Sequence, residues 1–192
     1  KRYEPNSEHL KILNFKYPEH FNHWKNLSSF HKDLNDPPFS TIEVSDDWED
    51  LLVCGIANSC MRLDGEIKYN KALLAYLLDG KNQMLCVKNR DGEIIGRSFL
   101  RLLFKENGYP CIYLEKFYGD ENTKNAIDSA AYELSQQMNL ELYHEGKDTL
   151  LCSFGTPKFL DSKEAFEYVD ACQEITNGEF EHLGKLYSRP LA

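Results

Sequence analysis

Apolar residues in the first forty positions recur at helical intervals. Two helices are predicted there, because Pro18 separates two apolar groups and Asp36-Pro37-Pro38 ends the second. Residues 41–50 then carry five acids and no base, which favours a solvated connector or a helix start. The apolar positions that define the two helices are Leu10, Leu13, Phe21, Trp24, Leu27, Phe30 and Leu34.

The centre of the chain changes from a helical to a strand pattern. A short helix that includes Leu73 and Leu77 is predicted to stop at Asp79-Gly80. A hairpin follows, in which Gln83–Lys88 and Glu93–Phe104 are the strands and Asp91-Gly92 is the turn. A third strand is then predicted over Cys111–Tyr118, where Ile112 and Leu114 alternate with polar positions.

The helix after this third strand has the clearest amphipathic pattern in the chain. It is predicted over Asn122–Met138, with Ala126, Ala130, Leu134 and Met138 on its buried face. The remaining elements are predicted as strands and one further helix. They are a strand at Asn139–His144, a strand at Leu150–Phe154, a helix around Ser162–Val169 and a hairpin about Asn177-Gly178.

This order of elements predicts an α+β fold. We expect a mostly antiparallel central sheet with flanking helices, because sequential hairpin strands precede alternating helices and strands. The helical N-terminal segment takes residues 1–40 and the α+β domain takes residues 41–192, together as one compact unit. Because the first residue is Lys1 and not Met, a fragment of a longer protein is expected.

Composition and charge exclude several classes of function. The 22 basic and 31 acidic residues give a net charge of −9, so a nucleic-acid partner is not expected. No apolar run reaches the roughly 18–20 residues that span a bilayer, so membrane insertion is not expected either. Residues 41–66 carry seven acids and one base, and this stretch therefore accounts for most of the charge.

The cysteines and histidines disfavour a metal site. None of the six cysteines forms a C-x-x-C pair, and Cys86 and Cys111 fall in apolar runs that are typical of buried thiols. A reducing, cytoplasmic compartment is therefore expected. His20 and His23 lie one helical turn apart but lack an H-E-x-x-H pattern, so no metal is predicted.

The succession from Gln83 to His144 resembles the core of the GNAT acyltransferase superfamily. There, three antiparallel strands lead into a helix whose N-terminus holds the pyrophosphate of acyl-coenzyme A. The corresponding turn here, Gly119–Ala126, has one glycine followed by Asp120 and Glu121 and lacks the Arg/Gln-x-x-Gly-x-Gly/Ala pattern. Two acids at a helix start repel phosphate, so the resemblance implies the fold, and no cofactor is expected.

A second, more local resemblance covers residues 54–104. The dipeptides Ser59-Cys60, Asn70-Lys71, Asp91-Gly92 and Gly96-Arg97 stand in an order that is similar to an uncharacterised group of bacterial domains. These belong to large multidomain proteins, often from bacteria that live inside host cells. The resemblance implies an accessory domain of such a protein, including a host-directed effector that is delivered into a host cytosol.

Cys60 is the candidate nucleophile. It lies in a loop of small residues before the predicted central helix, and a thiol near a helix N-terminus can become reactive. His144 at a strand end is the candidate base, with Asp148 or Glu145 to orient it, as in a thiol hydrolase or transferase. The alternative is that Cys60 only supports its loop.

Four residues are candidate anion ligands. Asn70 and Lys71 lie on the first turns of the central helix, where Lys71 binds an anion or pairs with Asp64 or Glu66. Arg97 and Arg101 share one face of a strand. Together they bind a carboxylate or phosphate, or they neutralise Glu115 on the neighbouring strand.

Aromatic density near the third strand suits a protein partner. Tyr113 and Tyr118 are the candidate contact residues, and the net charge favours a basic partner. The leading hypothesis is thus a degenerate GNAT-like protein-binding or accessory domain. Two alternatives stay open: an enzyme that uses Cys60 and His144, and a divergent acyl-coenzyme A-dependent acyltransferase.

Overall fold

The computed structural model describes residues 8–35, 39–56, 73, 76–105, 107–145, 152–153, 158–160, 172–176, 179–182 and 186–189. Residues 76–78 are helical, and the bounded helices are α1 (Glu8–Lys16), α2 (Pro18–Lys25), α3 (Trp48–Val53) and α4 (Lys124–Gln137). The first seven strands are β1 (His31–Asp33), β2 (Phe39–Ser45), β3 (Asn82–Asn89), β4 (Ile94–Lys105), β5 (Pro110–Leu114), β6 (Tyr118–Gly119) and β7 (Leu142–Glu145). The later strands are β8 (Cys152–Ser153), β9 (Lys158–Leu160), β10 (Cys172–Thr176), β11 (Glu179–His182) and β12 (Leu186–Arg189).

The described strands join into one sheet, whose main path has the order β1-β2-β3-β4-β5-β7-β12-β8. Off this path, β6 and β9 pair with β4, β11 pairs with β9, and β10 pairs with β11. All neighbours on this path are antiparallel except β5 and β7, which are parallel and are connected through α4. The predicted α+β class, with a mostly antiparallel sheet, flanking helices and a helical N-terminal segment, is therefore confirmed. The order expected from the GNAT resemblance, three sequential antiparallel strands leading into a helix, is present as β3, β4, β5 and α4.

The predicted central hairpin is confirmed. Strands β3 and β4 pair antiparallel from Asn82 opposite Arg101 to Lys88 opposite Ile94. Gly92 in the connection has φ 82°, a left-handed conformation that glycine adopts without steric cost. The Asp-Gly turn signal therefore located both strands.

The N-terminal prediction needs a correction. Pro18 does begin the second helix, but that helix ends at Lys25, and the chain continues through a 3₁₀ turn at Leu27–Ser29 into β1. Residues 41–45 of the predicted acidic connector form part of β2. The acidic Glu43 is accommodated in this strand because Lys88 Nζ lies 2.8 Å from its Oε1.

The third strand and the helix after it also differ in detail from the prediction. The strand stops at Leu114, and β6 pairs separately with β4. Helix α4 begins at Lys124 after a 3₁₀ turn, and Ala126 is only half-buried. The buried stripe is wider than predicted because α4 packs across several strands. It comprises Ile127, Ala130, Ala131, Leu134 and Met138.

In the last third, the hairpin about Asn177-Gly178 is confirmed by the pairing of Thr176 with Glu179. The turn itself and the predicted helix around Ser162–Val169 lie outside the described residues. The strand predicted at Leu150–Phe154 is described only at Cys152–Ser153.

The sheet separates two hydrophobic clusters. The larger one lies on the face covered by α1, α2 and α4, and it joins Leu10 and Trp24 to Leu100 and Ile112 of the sheet. The smaller one lies on the opposite face, where Leu51, Cys54 and Tyr76 pack on Met84 and Phe99. The N-terminal helices therefore share a core with the sheet.

No described helix is long and apolar enough to span a membrane.

Trp24 connects the N-terminal helices to the entrance of β3. Its buried indole Nε1 donates a hydrogen bond to the carbonyl oxygen of Gly80 at 2.7 Å. A buried backbone carbonyl that loses its hydrogen-bond donor destabilises the fold, because its lost contact with water is no longer compensated. This bond therefore fixes α2 against the loop before the sheet.

We expect Trp24→Phe to lower the free energy of unfolding by about 1–3 kcal/mol, because the Gly80 carbonyl is left without a donor. The matched variant Trp48→Phe, at an exposed position, should change it by less than about 0.5 kcal/mol. Denaturant unfolding followed by circular dichroism measures both. Equal destabilisation by the two variants would contradict this role of Trp24.

Candidate functional site

The face of the sheet opposite α4 carries buried charged side chains, and we call it the polar face. Side chains alternate along β4, so Arg97, Phe99 and Arg101 project to this one face. Arg97 and Arg101 are almost fully buried, and so is Glu115, which follows β5. Buried charges are expensive unless they are paired, so their partners define what this face can do.

Arg101 and Glu115 form a buried ion pair that includes a tyrosine. Arg101 Nε donates to Glu115 Oε1 at 2.7 Å, and Tyr76 Oη donates to Glu115 Oε2. Arg101 Nη2 also donates to Tyr76 Oη at 3.3 Å. Burial raises the pKa of Tyr76 well above its ordinary value, and the nearby Glu115 carboxylate raises it further, so Tyr76 stays protonated as a donor. The pair anchors the helical residues 76–78 to the sheet.

Arg97 is bound differently. Its Nε donates to the Cys54 carbonyl oxygen at 2.8 Å, and its guanidinium lies 4.8 Å from the Tyr118 ring centroid and 5.3 Å from that of Phe99. Its Nη2 is buried without a hydrogen-bond partner, and no described carboxylate pairs with it. The two aromatic rings stabilise the charge in part. Arg97 therefore keeps a buried N–H donor that no hydrogen bond of the described residues uses.

Two thiols lie beside Arg97. Cys86 is opposite Arg97 in the β3–β4 pairing, and both Cys86 and Cys54 are free and buried. Burial raises the pKa of each thiol, and for Cys54 the Arg97 charge opposes this only in part. Burial likewise raises the pKa of the Cys111 thiol, which is also free. These thiols are protonated and sequestered, which does not suit a nucleophile.

A second charged group lies at the edge of the polar face. Lys88 Nζ is 2.6 Å from Asp50 Oδ2 and 2.8 Å from Glu43 Oε1, so it joins α3 to β2 and β3. Burial lowers the pKa of Lys88, but the hydrogen bonds to Asp50 and Glu43 outweigh it and raise the pKa above its ordinary value. Ser45 Oγ donates a hydrogen bond to Asp50 Oδ2 at 2.5 Å.

The connection between β5 and α4 is the place where a GNAT protein would hold pyrophosphate. Here the backbone N–H of Asp120 donates to Ile95 O, and that of Asn122 donates to Asp120 Oδ1. The amides of Thr123 and Lys124 donate to the carbonyls of Asp120 and Glu121. These four N–H groups already have partners within the chain. The residues present therefore do not fit a phosphate group.

Close packing holds this connection against β4. Gly119 has φ 131° and pairs with Gly96, and a Cβ on Gly119 would collide with the backbone of Ile95 and Gly96. A Cβ on Gly96 would collide with the buried Thr123 side chain. Gly119, the single glycine of the turn, thus lets the connection pack directly on β4. A phosphate-binding turn would instead have to leave its backbone amides accessible.

The predicted catalytic residues are not brought together in the part of the chain that the structure describes. Cys60 and Asp148 lie outside the described residues. His144 is paired with Leu114 and lies two residues after Leu142, so it shares the face of these two leucines, which is the α4 side of the sheet. The described chain that leads toward Cys60 ends at Cys54–Ile56 on the polar face. The proposed Cys60–His144 pair stays a prediction.

The predicted binding residues divide into three groups. Asn70 and Lys71 lie outside the described residues. Arg101 is paired with Glu115, as the ion-pair alternative had it, while Arg97 is not. Tyr113 is fully buried and Tyr118 is half-buried, so a partner docking on this fold reaches Tyr118 only.

Sequence reasoning missed two members of the polar face. Tyr76 follows the predicted helical pattern and looks like an ordinary core residue, so nothing near it in the sequence indicates a role with Arg101. Cys54 contributes its backbone carbonyl, a group that every residue carries. The signal that did exist was the pair of arginines on one face of a strand that is otherwise apolar.

No group of three or more His, Cys, Asp or Glu residues that could hold a metal ion is found among the described residues. No family model matches the chain. No curated protein matches it either. Among solved structures, the chain is similar to an acetyltransferase of the GNAT family from Staphylococcus aureus Mu50, at 14% identity and a TM-score of 0.42. That match covers 79% of this chain and 99% of the other.

We expect Arg101→Met to lower the free energy of unfolding by about 3–5 kcal/mol, because it leaves the Glu115 carboxylate buried without its cation. Adding Glu115→Gln in the same chain should recover part of this loss, since the stranded charge is then removed. Denaturant unfolding of the two single variants and the double variant measures the coupling.

Two controls accompany this cycle. Lys32→Met breaks an exposed ion pair with Glu133 and should cost less than about 1 kcal/mol. Arg97→Met strands no carboxylate and should cost less than Arg101→Met. Additive losses in the Arg101 and Glu115 variants would show that the buried pair is not coupled.

Proposed function

We propose that the chain is a protein-binding module of GNAT-like topology that engages a basic segment of a partner and takes no acyl-coenzyme A. The observation that carries the proposal is Trp48, whose side chain is 59% exposed at the start of α3. Asp46, Asp47 and Glu49 are its sequence neighbours, and all three are exposed. We call these four residues the Trp48 patch.

The Trp48 patch rests on a fixed support. Asp47 caps α3 by accepting a hydrogen bond from the Glu49 backbone N–H at 2.9 Å. Asp50, the next acid, points inward to Ser45 and Lys88 and ties α3 to the sheet. The exposed acids of the patch are therefore positioned by Asp50, which is hydrogen-bonded to the sheet. A preorganised surface loses less conformational entropy when a partner binds.

The chemistry of the patch selects a cationic partner. An exposed indole attracts a guanidinium or ammonium group over its ring face, and the three carboxylates add Coulomb attraction. Tryptophan is also among the residues that contribute most to protein interfaces. A net charge of −9 supports the same choice of partner.

The loop between β5 and α4 supports the second half of the proposal. Four of its backbone amides, those of Asp120, Asn122, Thr123 and Lys124, donate hydrogen bonds within the chain. Asp120 and Glu121 also put negative charge where a pyrophosphate would lie. The free thiols Cys54, Cys86 and Cys111 fit a reducing compartment such as the cytoplasm. An accessory role in a larger bacterial protein, including a host-directed effector, remains the prediction made from the four dipeptides.

Acetyl-coenzyme A at 1 mM should leave the thermal midpoint of unfolding unchanged. A ligand whose Kd is one-hundredth of its concentration stabilises a protein by about 2.7 kcal/mol. For a chain of this size that is a rise of roughly 5–11 °C, which differential scanning fluorimetry detects easily. A concentration-dependent rise would retire the claim that the cofactor is not taken.

An octapeptide of alternating arginine and serine should bind the Trp48 patch saturably. The fluorescence of Trp48 should change, while Trp24, the other tryptophan, is buried and serves as a constant background. Trp48→Ala and Asp46→Lys/Glu49→Lys should each weaken binding at least fivefold by calorimetry, and added salt should weaken binding to the native chain.

The matched control alters another exposed acidic pair, Asp120→Asn/Glu121→Gln, and should leave the affinity unchanged. Asp47 is kept in all variants because it caps α3. Undiminished binding by the Trp48→Ala and charge-reversed variants would show that the patch is not the binding surface.

A further inference from the structure

A pocket of about 380 Å³ lies between the end of α2, the 3₁₀ turn at Leu27–Ser29 and the end of α4. It is on the opposite side of the sheet from the polar face. Its floor consists of four buried apolar side chains. They are Leu27, Phe30, Leu134 and Met138.

The rim of the pocket is polar but carries no Asp, Glu, Lys or Arg. Asn22, Asn26 and Gln137 place three carboxamides around the apolar floor, and His23 and Ser29 complete the lining. Gln137 Nε2 donates a hydrogen bond to Glu133 Oε1 at 3.2 Å. The side-chain oxygen of Gln137 can still accept a hydrogen bond. Among the described residues, the side-chain amides of Asn22 and Asn26 have no hydrogen-bond partner.

We propose that this pocket binds an extended, uncharged peptide segment of a partner, with one large aliphatic side chain on the floor. A carboxamide presents a donor and an acceptor together and so matches both groups of a peptide bond. A rim without a cation does not recognise a phosphate or carboxylate, and a rim without an anion does not recognise a basic segment.

The spacing of the two asparagines fits an extended backbone. Asn22 and Asn26 are four residues apart at the end of α2, which corresponds to about 6 Å along the helix axis. Peptide groups that face the same way along a strand repeat at roughly 6.6 Å. Asn22 and Asn26 therefore pair with alternate peptide groups, and the side chain between them enters the floor.

The pocket and the Trp48 patch are independent. The patch recognises positive charge, whereas the pocket recognises backbone and an aliphatic group. A failure of the Trp48 experiment therefore leaves this inference intact, and the reverse also holds.

The test titrates the ¹⁵N-labelled chain with acetyl-Ser-Ala-Leu-Ala-Ser-amide and follows side-chain and backbone amide resonances. We expect saturable shifts at the rim residues. Asn22→Ala and Asn26→Ala should each weaken the affinity by about two- to twelvefold, the range that one neutral hydrogen bond supplies. Both positions are exposed, so the fold is not at stake.

Three controls decide the outcome. Asn14→Ala, at an exposed asparagine of α1, should leave the affinity unchanged. A peptide with N-methylated backbone amides should bind at least fivefold more weakly, because it cannot donate to the carboxamides. Replacing the central leucine by aspartate should abolish binding. Absence of saturable shifts, or equal binding by the asparagine variants and the N-methylated peptide, would overturn the proposal.

Discussion

The ion pair between Arg101 and Glu115 is the interaction on which one whole face of this fold depends. It lies between the two central strands β4 and β5, and Tyr76 reaches it from the chain segment above the sheet. A charge buried at this depth requires a partner of opposite sign, so the register of β4 against β5 and the position of residues 76–78 are set together. Phe99 and the other apolar residues of that face fill the space that remains.

Local signals predicted the centre of the fold well. The Asp-Gly turn and the alternation of β3 and β4 are short-range patterns, and so is the amphipathic period of α4. Strand β2 was missed although Phe39–Ser45 alternates, because its acid suggested a solvated segment. That acid is neutralised by Lys88, a residue about forty-five positions away, and no local pattern contains this information.

The candidate site shows the same limit. Two arginines on one strand face were visible in the sequence, but their different roles were not. Both arginines are buried, but Arg101 contacts a carboxylate and a tyrosine, whereas Arg97 contacts a carbonyl and two aromatic rings. The difference arises from residues that the fold brings in from other elements. Tyr113 illustrates the opposite error, since an aromatic residue that suits an interface is here part of the interior.

The contact between Gly96 and Gly119 limits what substitutions in the turn after β6 can do. Both positions exclude every side chain, one because of Thr123 and the other because of the backbone of β4. Glycines added to the turn by substitution would not by themselves open it for a phosphate, because β6 would still be paired with β4. An open turn at this position therefore requires β6 to separate from β4 first, and the turn and the strand pair cannot be altered independently of each other.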